Sequence, residues 1–128
     1  MKKIILLITF LAASLFADVK YTDMFDAYDN AKAQHKTVLI MLSQKGCPAC
    51  QYMEKVVFNN ADVAKDLKKN FVVVHLDIHE DSIPDKLSYF ATPTFYFLDA
   101  NEKILKKITG GINAKDFQSI LNQFHKKR

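Results

Sequence analysis

The two cysteines of this 128-residue chain stand three positions apart, in Cys47-Pro48-Ala49-Cys50. Two thiols at this spacing, with no third, point to one pair that opens and closes. If a helix begins at residue 48, Cys47 sits at its first turn. Backbone N–H groups and the positive end of the helix dipole then favour thiolate over thiol. Cys50 falls one turn further on the same face, within reach of a small ring. A ring that short removes little chain entropy and makes a poor staple. The spacing therefore reads as a redox switch, and the surrounding elements must supply the rest of the chemistry.

The compartment is written in the first 17 residues, which have the pattern of a secretory signal peptide. Lys2 and Lys3 give a positive start. Ile4 to Leu11, broken only by Thr9, is apolar but too short to span a bilayer. Ala12, Ala13 and Ser14 follow, and Ala17 is the expected last residue before the cut. An uncleaved anchor is the alternative reading, and no cysteine follows the apolar stretch to carry a lipid. A periplasmic location is the expectation, where a thiol pair can rest oxidised and disulfide-bearing partners are available. Removing 17 of 128 residues leaves 111, numbered 18–128, enough for one domain with one core. Removing Lys2 and Lys3 from the 18 basic residues leaves 16 against 14 acidic ones, a formal charge of +2. That is too mild to argue for nucleic acid or an anionic membrane. The basic end, Lys126-Lys127-Arg128, reads as a solvated helix terminus.

Hydrophobic periodicity supplies the elements. Residues 22–34 suit a helix capped by Thr22, with Met24, Phe25, Tyr28 and Ala31 at helical spacing. Residues 37–43 and 71–77 are continuous apolar runs that suit strands buried on both faces. A helix is expected from the cysteine motif to about Phe58, with Met53, Val56 and Val57 turned inward. Asn60 can cap a further helix over 61–68, and Ser82 and Pro84 signal a short one reaching about Tyr89. Residues 94–98 and 103–108 read as strands around the turn Asp99-Ala100-Asn101-Glu102. After Gly110-Gly111, Asn113 can cap a last helix through Phe124, with Phe117, Ile120, Leu121 and Phe124 on one face. The first two strands should be parallel neighbours through a right-handed crossover, and the last two an antiparallel hairpin. The fold class is α/β: a four-stranded mixed sheet with helices on both faces.

Four features resemble the thioredoxin-like fold. They are the strand Val38 to Leu42 leading into Gly46-Cys47-Pro48-Ala49-Cys50, the strand Val72 to Asp77, Thr92-Pro93-Thr94 before a hairpin, and the Gly110-Gly111 break before an amphipathic helix. The closest flavour is the small exported bacterial group with a Cys-Pro-x-Cys motif, which includes sulfur-oxidation-type thioredoxins and the catalytic domains of periplasmic disulfide isomerases. The resemblance implies a cis peptide bond at Thr92-Pro93, with the proline beside the cysteines and Thr92 presenting backbone groups to an extended partner peptide. It implies that Cys47 attacks a partner disulfide and that Cys50 resolves the mixed disulfide, Cys47 being partly exposed and Cys50 more buried. Departures from thioredoxins proper are clear: there is no Trp, Gly46 precedes the first cysteine, Met41 stands where they carry a buried acid, and His75 where they carry a lysine. His75 is therefore the candidate proton acceptor near Cys50.

The function expected is a thiol–disulfide oxidoreductase that exchanges disulfides with periplasmic proteins, first as a reductase, with oxidation or isomerisation as the alternative. Isomerases of this type usually gain a dimerisation domain, and the 29 residues from Asp18 to Gly46 leave little room for one. The expected partners are protein thiols and disulfides and a membrane electron donor, in settings such as cytochrome c maturation or defence of exported thiols. The expected state is a monomer, and no cofactor or metal is called for. Rival readings are a static disulfide in a binding module, a copper-handling thiol pair, and a zinc site from Cys47, Cys50, His75 and His79. The last has a gap of 24 residues between Cys50 and His75, far from zinc-finger spacing. Asp77, Glu80, Asp81 and Asp85 with His79 read as a solvated acidic loop, and Tyr89 or Phe90 as a candidate lining of a partner groove.

Overall fold

Apolar runs fill both sides of a single sheet in the computed structural model, which describes residues 19–125. The expected signal peptide and the basic end lie outside those residues. In chain order the elements are α1 (Met24–Gln34), β1 (Thr37–Ser43), α2 (Pro48–Tyr52) running into a π-helical turn (Met53–Val57), α3 (Ala61–Asn70), β2 (Phe71–Asp77), β3 (Thr94–Leu98), β4 (Ile104–Thr109) and α4 (Ala114–Asn122). The sheet order is β2-β1-β3-β4. β1 pairs parallel with β2 and antiparallel with β3, and β3 pairs antiparallel with β4 around an irregularity at Phe97/Leu98. The mixed four-stranded sheet is thus the one the sequence implied.

β1 is central, and alternation sends its side chains to two cores. Leu39 and Met41 join Cys50, Met53, Phe95, Phe97 and Phe117 under α2, α3 and α4. Val38, Ile40 and Leu42 join Ala27, Ala31, Tyr96 and Leu87 under α1. Phe58, Phe95 and Phe117 make tilted ring contacts in the first core, with Phe117 centred 5.6 Å from each of the other two. A second tie fixes α4 to α3. Asp66, almost fully buried, accepts from Asn70 Nδ2 and Gln118 Nε2 and meets His125 Nε2, all at 2.7 Å.

Several local expectations are corrected. Thr22 does not cap α1: its N–H donates to Val73 O at 2.7 Å, and Asp23 caps instead, accepting from Phe25 N. Phe25 is 90% exposed, because α1 sits on the sheet through Ala27 and Ala31. Val56 is also exposed, and Phe58 takes an inward place. The π-helical turn, closed by Phe58 N–H on Met53 O at 2.8 Å, widens the helix so that Met53 and Phe58, five apart, both face the core. α3 runs on to Asn70 because β2 begins at once, the Phe71 N–H closing on Leu67 O. No helix forms over 82–89. Only Leu87 in that segment is fully buried, so it lacks an apolar stripe, and Tyr96 holds it as a loop by donating to Ser88 O at 2.6 Å.

Phe117→Ala should cost about 3–5 kcal/mol of unfolding free energy, the range for emptying a buried aromatic site. Urea denaturation followed by far-UV dichroism checks this, and Phe25→Ala should change the midpoint little.

Candidate active site

The end of β1 and the start of β3 meet at one end of the sheet, and the cysteine motif lies over that junction. Gly46, at φ 71°, takes the left-handed turn that a side chain would resist, and it releases Cys47 into an extended conformation. Pro48 then opens α2 at a position where a missing N–H costs nothing. Cys47 and Cys50 form a disulfide with Cα atoms 5.2 Å apart. Cys50 N–H donates to Cys47 Sγ at 3.2 Å, so the helix start aims a backbone donor at that sulfur. Cys47 is less open than expected, 7% exposed against 1% for Cys50, yet it remains the outer sulfur of the pair.

The Thr92-Pro93 bond is cis. Thr92 stands against the outer sulfur: its carbonyl oxygen lies 3.6 Å from Cys47 Sγ, and its hydroxyl donates to that atom at 3.5 Å. Pro93 is buried, and its carbonyl accepts from Gly110 N–H at 2.8 Å, which ties the loop to the end of β4. Gly110-Gly111 is more than a break. A Cβ at Gly111 would meet Ala49 Cβ at 3.6 Å and Met53 Sδ at 4.0 Å, so this loop lies flat on the motif helix. Phe90, two residues before Thr92, is 85% exposed.

His75 sits on β2 opposite Met41 of β1, and its Nε2 is hydrogen-bonded to Glu54 Oε1. Glu54, His75 and Cys50 line one open pocket of about 500 Å³, together with Gln51, Lys55 and Asp77. Glu54 is the site residue that sequence reasoning missed. Its signal was available, since Cys50 and Glu54 are four apart on one helix and so share a face. Partial burial, with help from the Glu54 carboxylate, pushes the neighbouring Tyr21 hydroxyl up to about 12.

His79 does not join His75. It contacts Gln44 Oε1 at 3.1 Å, and among the described residues no group of three or more His, Cys, Asp or Glu side chains is arranged to hold a metal. The acidic loop is a hydrogen-bonded turn. Asp77 Oδ1 accepts from the N–H groups of His79 and Glu80, Asp81 Oδ2 accepts from Asp77 N–H, and Glu80 pairs with Lys45.

The model of the thioredoxin-like domain family matches residues 24–125. The chain belongs to the thioredoxin-like family. This thioredoxin-like chain is 30% identical over 109 residues to the thiol:disulfide interchange protein DsbD of Colwellia psychrerythraea, covering 79% of the chain and 18% of that protein. It is 30% identical over 117 residues to the uncharacterized protein B0495.5 of Caenorhabditis elegans, covering 78% and 16%. It therefore spans less than a fifth of the length of either relative. A thioredoxin from Thermus thermophilus superposes with a TM-score of 0.71 at 22% identity, covering 84% of this chain and 87% of that one. A thioredoxin-fold protein from Helicobacter pylori gives 0.71 at 18%, covering 89% and 81%. The periplasmic thioredoxin SoxS from Paracoccus pantotrophus gives 0.55 at 20%, covering 69% and 94%. These structural likenesses carry the fold. Family membership and fold thus meet a Cys-x-x-Cys disulfide that lies at a helix start beside Thr92 and Pro93.

The backbone hydrogen bond from His79, with that from Glu80 and the charges of His79 and Lys45 behind it, holds the Asp77 carboxyl below its ordinary 3.8. A depressed folded value means the turn is stabilised above the unfolded pKa and loses that stabilisation as pH falls through the folded value. Carboxyl NMR titration should therefore find Asp77 ionising below 3.8, with the His79 and Glu80 amide signals moving in step.

Proposed function

We propose that this chain is an exported, periplasmic reductase of protein disulfides, with residues 1–17 as its signal peptide and 18–128 as the working domain. The observation that carries the reading is the outer sulfur of Cys47, held between Cys50 N–H and Thr92 at the end of the central strands. Cys47 is the attacking thiolate. It displaces one sulfur of a partner disulfide, forming a Cys47–partner bond and releasing the other partner sulfur as a thiolate. Cys50, deprotonated, then attacks Cys47 Sγ, closing the 47–50 disulfide and releasing the second partner thiolate, so two electrons pass to the partner. Thr92 and Pro93 receive the partner's extended chain by backbone pairing, with Phe90 offering an apolar contact beside them.

His75 is the proposed acceptor of the Cys50 proton, through water in the pocket the two residues share. Glu54 orients its ring and stabilises the imidazolium that forms. Reduction is favoured over oxidation by charge. The donors that touch Cys47 Sγ are neutral, so no cation bonded to that sulfur holds the pair in its reduced form, and the dithiol gives up its electrons more readily than one held by a charged partner. A membrane electron donor would return the pair to the dithiol. The likeness to DsbD, which is a thiol:disulfide interchange protein by name, supports that setting without assigning the partner.

Cys50→Ser should leave partner proteins disulfide-linked to Cys47 in periplasmic extracts, and Cys47→Ser should capture none. Identification of the captured proteins and their redox states reads both substrate and direction; captured partners accumulating as dithiols in a strain lacking the protein would reverse the assignment to an oxidase. His75→Ala should slow the resolving step roughly tenfold to a hundredfold near neutral pH and flatten its pH profile, with first attack by Cys47 little changed. An unchanged profile removes His75 from the mechanism.

A further inference from the structure

An unbroken line of hydrogen bonds runs from the protein surface to the outer sulfur. His79 Nε2 lies 3.1 Å from Gln44 Oε1. Gln44 Nε2 donates to Thr92 Oγ1 at 2.8 Å, and Thr92 Oγ1 donates to Cys47 Sγ at 3.5 Å. The directions are coupled. An amide whose nitrogen serves Thr92 presents its oxygen to His79, so the ring nitrogen must carry a proton and donate it. A hydroxyl that accepts from Gln44 keeps its own proton for the sulfur. Every donor in the line points toward Cys47, and hydrogen bonds aligned in this way polarise one another.

Three separate segments build the line: the loop after β1, the turn after β2, and the strand entry before β3. His79 is exposed and could be satisfied by water alone, yet the turn fixes it in place, its own N–H held by Asp77 Oδ1 at 2.8 Å. Neither Gln44 nor His79 touches the sulfur or a partner chain's reacting atoms in the exchange scheme above.

We propose that Gln44 and His79 are positioning residues that act in series behind Thr92 to stabilise the Cys47 thiolate. The proposal rests on the exchange reading of Cys47. No proton travels along the line: each donor keeps its hydrogen, and what is transmitted is polarisation. The ionisable groups around it are Asp77, Glu80 and Asp81 on the same turn, Lys45 on the loop after β1, and Glu54, Lys55 and His75 across the pocket. Lys45 is paired to Glu80 and Glu54 to His75, which leaves Asp77 as the charge acting most directly on His79.

The test is the pH dependence of iodoacetamide alkylation of Cys47 in the reduced full chain. Wild type should titrate below the free thiol value of about 8.5. Gln44→Leu should raise the Cys47 pKa by about 0.5, a fall of about threefold in alkylation rate at pH values below that pKa. His79→Phe, at an exposed position where folding is not at risk, should give part of the same shift, and His79→Gln, which keeps an N–H donor, should stay near wild type at neutral pH. The double variant Gln44→Leu/His79→Phe should match Gln44→Leu alone, because cutting the line once removes what lies beyond the cut. Additive shifts, or no shift in either single variant, overturn the proposal while leaving the exchange reading intact. A wild-type Cys47 that iodoacetamide does not reach overturns the exchange reading itself.

Discussion

The pairing of Leu42 with Thr94 is the constraint on which the site depends. β1 ends one residue later and its loop delivers Cys47; β3 begins there, immediately after Pro93. Because the two strands are antiparallel, the exit of one and the entry of the other lie side by side, and residues distant in sequence meet at the sulfur. The register is held by burial, not by the site. Leu39 and Met41 face one core while Val38, Ile40 and Leu42 face the other, and a slip of one position would reverse every assignment. The placement of Thr92 against Cys47 is thus a by-product of packing that extends along the whole strand.

Much of this was legible from residue pattern. Continuous apolar runs gave β1 and β2 to the residue, since a strand buried on both faces has no polar interruptions to blur its ends. Asn60 and Asn113 cap where expected because a short amide followed by a periodic run is a local signal, decided within four residues. What stayed hidden depended on contacts between distant segments. Thr22 lost its cap to Asp23 because its N–H is taken by β2, and Val56 turned outward because a single wider turn changed the phase of the helix. The stretch around Pro84 carries good start signals for a helix, but its apolar residues do not line up, and Tyr96 secures it from another strand. At the site, Cys47, Cys50, Thr92 and Pro93 could be named from motif and family likeness. Glu54 was passed over despite its spacing from Cys50, because a lone acid on a helix reads as a solvated charge until its partner on β2 is known.

The two sulfurs face different surroundings, and this division follows from the fold. Cys47 looks outward to neutral donors at the strand entry. Cys50 looks inward to a pocket that holds the Glu54–His75 pair. Met41 and His75 are register partners on β1 and β2. Placing the apolar member on the central strand leaves that strand free of buried charge, which would carry a desolvation cost of several kcal/mol. The titratable member goes to the outer strand, where solvent can reach it.

Gly111 adds a mechanical consequence. A side chain's width separates its backbone from Ala49 and Met53, and Ile112 N–H donates to Met53 Sδ at 3.4 Å, so the junction between β4 and α4 rests on the motif helix. That tie involves neither sulfur of the pair, so the motif helix is anchored at the end of the sheet independently of the disulfide bond.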